Sequence, residues 1–85
     1  MGNYEKLIQR ILSGKQDASV SFSDTVSLLQ ALGFSLRIKS SHHIFFREGV
    51  EEIINIQPEG SKTKPYQVKQ IRDIIKKYHL EAKDV

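Results

Sequence analysis

Between Gly33 and Pro58 the chain changes its period. Before Gly33 and after Pro65, apolar residues recur at helical spacing; between them they alternate as in a strand. "FSLRIK" sets Phe34, Leu36 and Ile38 on one face and Ser35, Arg37 and Lys39 on the other. "HHIFFR" reads as a second strand. "REGVE" is a hairpin turn in which Gly49 can take positive φ. "EEIINIQ" is a third strand ended by Pro58, and "PEGSKTK" is a loop.

The flanking segments carry helix signals. Asn3 can cap a helix through "YEKLIQRIL", with Tyr4, Leu7, Ile8, Ile11 and Leu12 on one face and Gly14 as its left-handed stop. "GKQDASVS" reads as a polar linker. A second helix starts near Ser23 as N-cap, with Asp24 in its first turn. Val26, Leu28, Leu29 and Leu32 form its apolar stripe. Gly33 is in place to end this helix, and Phe34 to pack back onto Leu29 as in a Schellman motif. Pro65 opens the last helix, whose stripe is Val68, Ile71, Ile74, Ile75 and Tyr78. Lys69, Arg72 and Lys76 lie on another face. The order α-α-β-β-β-α points to an α+β domain with both main helices on one face of a three-stranded antiparallel sheet.

At 85 residues, with no cysteine, this is one small domain with a modest core, and thiol catalysis, disulfides and thiolate metal sites are excluded. No apolar run has the length of a membrane span, and "MGNYEKLIQR" lacks the apolar centre of a secretory signal. A cytoplasmic protein with no membrane contact is expected. The net charge of +3 is distributed unevenly: Ser61 to Lys77 holds six bases and one acid, Asp73, while Arg37, Lys39 and Arg47 flank the histidine pair. Clustered cations suit a polyanion such as nucleic acid; their plain alternative is a solvated helix face. Glu48, Glu51 and Glu52 read as a solvated hairpin tip.

Chemistry centres on "RIKSSHHIFF". Imidazole, with an ordinary pKa of about 6.5, suits proton transfer near neutral pH. RNA carries its own nucleophile, the 2′-hydroxyl, so cleavage needs a base, an acid and a cation near the phosphate. A histidine beside Arg37 and Lys39 supplies much of this without a metal. Adjacent strand residues face opposite ways, so His42 and His43 do different work, and neither chemistry nor periodicity chooses between them. No third ligand sits at metal-binding spacing; no metal and no cofactor is expected. His79 suits a helix C-terminus, where the dipole favours a cation.

Together, "LLQALGFSLRIKSSHHIFF", "NIQPEG" and "KPYQVKQIRDIIKKY" resemble the HicA family of bacterial toxins, over Phe22 to Leu80. The resemblance implies a double-stranded-RNA-binding-like α-β-β-β-α fold in residues 21–85, preceded by an N-terminal helical extension and linker in residues 1–20. It implies an mRNA-cleaving toxin of a type II toxin–antitoxin pair, a metal-independent endoribonuclease held inactive by a HicB-type antitoxin. The family motif Gly-Ser-His maps to Ser40-Ser41-His42, which makes His42 the catalytic residue and leaves His43 at a less restricted position. Lys39, Ser41 and Arg37 would then support the phosphate and transition state, and Lys64, Lys69, Arg72 and Lys76 would hold RNA. Two positions depart from the pattern. Ser40 stands where the family has glycine, and Gln57 where many members have a histidine. A weakened or inactive RNA-binding module is therefore the alternative, and a protein-interaction domain meeting an acidic partner is a third reading. The extension can serve as a dimerisation arm, an extra core helix or an antitoxin-docking helix, so a homo-oligomer within a toxin–antitoxin complex stays open.

Overall fold

A computed structural model describes residues 4–82. Its elements are α1 (Glu5–Ser13), a 3-10 turn (Asp17–Ser19), α2 (Phe22–Ala31), β1 (Ser35–Lys39), β2 (His42–Arg47), β3 (Val50–Ile56), β4 (Pro58–Glu59), β5 (Lys62–Thr63) and α3 (Pro65–Tyr78). β1, β2 and β3 form an antiparallel sheet in that order. The α+β order expected from the periodicity is the order observed.

The end of α2 shows why the strands begin where they do. Gly33 takes φ of +94°. The Phe34 N–H donates to the Leu29 carbonyl and the Gly33 N–H to the Gln30 carbonyl, both at 3.0 Å. This is the Schellman pairing, and it turns the chain directly into β1. The positive φ is what favours glycine there; a Cβ on Gly33 would lie 3.1 Å from Arg47 Nε, which a small shift of that flexible side chain relieves.

Helices pack on one face of the sheet. Phe45, Ile54 and Ile56 from the strands meet Leu28 and Leu29 of α2, Val68, Ile71, Ile74 and Ile75 of α3, and Ile11 of α1 in one buried cluster. Burying such side chains contributes roughly 1.5–3 kcal/mol each. α1 ends at Gly14 with φ of +71°, as expected, while the proposed Asn3 cap lies outside the described residues.

Three local readings are corrected. The cap of α2 is Ser21, whose hydroxyl accepts from the Asp24 N–H at 3.4 Å, and not Ser23. The "polar linker" buries Val20 and pairs with the following hairpin: the Thr63 N–H donates to the Val20 carbonyl, and the Phe22 N–H to Ser61. The "PEGSKTK" loop is that hairpin, β4–β5. Thr25 donates to the Ser21 carbonyl at 2.9 Å, so the 2.7 Å contact between the Thr25 and Thr63 hydroxyls has Thr63 as donor. Both threonines are buried with their hydroxyls satisfied. Among the described residues, no helix is long and apolar enough to cross a membrane.

Candidate functional site

Strand alternation separates the two histidines as expected, and the packing of the helices names the faces. His43 points with Phe45 toward the helices; its ring meets Phe22 edge-on, 4.9 Å between centroids. Its Nδ1 is buried and has no hydrogen-bond partner among the described residues. His42 points to the other face, with Ile44 and Phe46. The described residues leave that face open: Arg37, Lys39, Phe46, Ile53 and Asn55 are exposed, and His42 and Ile44 are half-buried.

His42 sits at the start of β2, opposite Lys39 across a two-residue turn of Ser40 and Ser41. Ser40 takes φ of +56° and Ser41 does not take positive φ. Positive φ at the first of two turn residues alone is a glycine preference. It gives a local physical reason for glycine at this point of the motif.

Polar side chains surround the His42 ring. Asn55, opposite Ile44 on β3, places Oδ1 3.1 Å from His42 Nδ1. Gln57, just past β3, places its amide nitrogen 3.0 Å from His42 Nε2 and 3.2 Å from Nδ1. Lys64, the N-cap residue of α3, donates from Nζ to Gln57 Oε1 at 3.4 Å. The Gln57 backbone N–H donates to Oε1 of the buried Gln67 at 3.2 Å, and Gln67 Nε2 lies 3.4 Å from the Tyr66 hydroxyl. His42, Asn55, Gln57, Tyr66 and Gln67 line a shallow pocket of about 240 Å³. It is open to solvent, as a small domain requires.

The expected cations divide among several places. Lys39 lies beside His42 and Arg37 one alternation further along, its guanidinium 6.0 Å above the Phe46 ring. Ser41 is exposed in the turn, and Lys64 borders the pocket through Gln57. Lys69 is exposed one turn beyond Tyr66 on α3. Lys76 lines a separate depression with Leu12, Ile75 and His79, about 15 Å along the helix from Tyr66 at 1.5 Å per residue. Arg72, expected on the same basic stripe, is turned onto α1 and the linker. Its Nη1 lies 2.9 Å from Asp17 Oδ1 and 3.2 Å from the Ile11 carbonyl, and the side chain is 14% exposed. There it adds a second donor to the Ile11 carbonyl, which also accepts from the Gly14 N–H at 3.3 Å at the end of α1.

The motif does not point to Asn55, Tyr66 or Gln67, and Gln57 stands in it only as a missing histidine. One signal was available. Asn55 and Gln57 stand two apart in the otherwise apolar run "IINIQ", so period two puts both on the face opposite Ile54 and Ile56.

A family model described as HicA toxin of bacterial toxin-antitoxin matches residues 22–80. Neither a curated protein nor a solved structure matches the chain.

Proposed function

The chain belongs to the HicA toxin family of bacterial toxin–antitoxin systems, and from that premise we propose that it is a metal-independent endoribonuclease that cleaves mRNA through His42 in the cytoplasm. The observation that carries the reading is the pocket itself. One imidazole is held by polar side chains on an open sheet face, with Lys39 opposite it and Lys64 behind its partner Gln57. The 2′-oxygen of a ribose attacks the adjacent phosphorus as its proton passes to the His42 ring. The bond from phosphorus to the 5′-oxygen breaks, that oxygen takes a proton from water in the open pocket, and His42 returns the proton it took to solvent. The products are a 2′,3′-cyclic phosphate and a 5′-hydroxyl. DNA lacks the 2′-hydroxyl and is not a substrate. Lys39 and Lys64 steady the charge that builds on the phosphate oxygens, the exposed Ser41 turn contacts the phosphate, and Arg37 and Lys69 track the backbone on either side. A HicB-type antitoxin silences the toxin by covering this face.

A second reading has its own observation. Ser40 holds a left-handed φ where the resemblance puts glycine, which favours a weakened, RNA-binding form of the same fold. Expression in a bacterial host separates the two. The first reading expects growth arrest and mRNA decay from the parent, none from a folded His42→Ala variant, and rescue by a HicB-type partner. The second expects no arrest from the parent and arrest from Ser40→Gly.

A further inference from the structure

The open sheet face runs on from His42 to a second feature. Phe46 stands four residues further along β2, about 13 Å away at about 3.3 Å per residue. It is 41% exposed. A cation accompanies the ring: the Arg37 guanidinium of β1 lies 6.0 Å from its centroid. Ile44, half-buried, lies between His42 and Phe46 on β2. Ile53, 62% exposed, adds apolar surface from β3.

The fold makes room at this ring. Phe45 pairs with Ile54 and Arg47 with Val50, so Glu51, Glu52 and Ile53 of β3 all oppose Phe46. A bulge of this kind bends its strand and re-aims side chains. Phe46 also borders a depression of about 660 Å³ with Gly33, Ser35, Arg47 and Glu48. Charge is divided around it. Arg37 and Lys39 are exposed on the β1 side, and Arg47 is half-buried at the rim, while Glu48 and Glu51 are exposed at the hairpin end. A polyanion that follows this face therefore keeps its phosphates on the side of Arg37 and Lys39.

Duplex RNA has no use for such a ring. Its bases are stacked inside, and it presents phosphates and sugars. An unpaired base does have a use for it, because aromatic rings and guanidinium planes are the surfaces on which unpaired bases stack. We infer that Phe46, with Arg37, is a base-stacking subsite for single-stranded RNA on the same sheet face as His42. That the occupant is an RNA strand rests on the function proposed above. At about 3.4 Å per stacked nucleotide, the bound base lies about four nucleotides from the ribose at His42, and fewer if the strand is extended. The subsite admits unpaired strands and leaves duplex out. It tolerates sequence, since every base has a π-face.

The test uses the full chain and a short RNA strand with every 2′-hydroxyl methylated, alone and annealed to its complement. Such a strand lacks the nucleophile and is not cut. The chain contains no tryptophan, so Phe46→Trp puts a single indole at the subsite. The single strand is expected to bind Phe46→Trp as tightly as the parent and to quench its emission, whereas the duplex leaves the emission unchanged. Phe46→Leu keeps apolar bulk without a π-face. With its fold matched to the parent by circular dichroism, it is expected to bind the single strand about tenfold more weakly. Its slope of log affinity against log salt stays the same, since no phosphate contact is lost. Full affinity in Phe46→Leu overturns the inference and gives the ring to a protein partner instead. An indole unmoved by saturating single strand, equal quenching by the duplex, or a parent that binds no single strand also overturns it. If the subsite behaves as stated while the parent leaves unmodified RNA intact, the subsite stands and the catalytic reading falls.

Discussion

Ser40 carries a backbone conformation that costs an L-residue about 1–2 kcal/mol, at φ of +56° in the turn before His42. Ser40→Gly is therefore expected to raise unfolding stability by about 1 kcal/mol, read as a shift of the chemical-denaturation midpoint at constant slope. No gain would show that the turn holds serine without strain. The two histidines divide at the same scale. His42 is held by polar groups on an open face, whereas His43 meets Phe22, and its Nδ1 has no partner among the described residues. This division was not legible in the sequence, because both faces of β2 carry apolar residues. Ile44 and Phe46 share the face of His42, and Phe45 that of His43. Only the placement of the helices decides which apolar set is core.

The ion pair of Arg72 with Asp17 ties α3 to the segment between α1 and α2. Arg72→Gln is expected to destabilise the fold by about 2 kcal/mol, the scale of a charge-assisted hydrogen bond. It should leave the salt dependence of RNA binding unchanged. Lys39→Gln should do the reverse, lowering the slope of log affinity against log salt by about 0.7, as for one phosphate contact on a single strand. Equal slopes in both variants would remove Lys39 from the RNA face. Helical spacing placed Arg72 with Lys69 and Lys76, since its partner Asp17 is 55 residues away and invisible to periodicity. Elements set by neighbouring residues were legible: the Gly33–Phe34 helix end, the Gly49 turn and the Pro65 start all follow from short-range chemistry. The β4–β5 hairpin was not. Its strands are two residues each, and what holds them is Thr63 meeting Thr25 across 38 residues. The same pairing moves the α2 cap from Ser23 to Ser21.

At the scale of the molecule, Ile11 of α1 is buried in the same cluster as the sheet and α3, so the N-terminal helix contributes to the core. The far end of the sheet is closed by Glu52, which belongs to β3 and not to a solvated turn. Tyr78 donates to it at 2.7 Å and Lys77 at 2.9 Å. The Tyr78 hydroxyl first, and then the Lys77 ammonium, hold its carboxyl down from 4.5 to about 2. A carboxyl lowered by folding adds stability that is complete above its ordinary value and lost as pH falls through the folded one. Stability is therefore expected to decline between about pH 4.5 and 2, and Glu52→Gln to flatten that decline in acid titrations followed by circular dichroism. An unchanged acid profile would show that other carboxylates govern it. Cleavage of RNA by this fold through His42 is read from the product ends. Purified parent and His42→Ala, matched in circular dichroism, are incubated with a defined RNA in excess chelator, and the new termini are identified by mass. Catalysis by His42 gives 2′,3′-cyclic phosphate and 5′-hydroxyl ends from the parent and intact RNA from His42→Ala; equal cleavage by both proteins would contradict it.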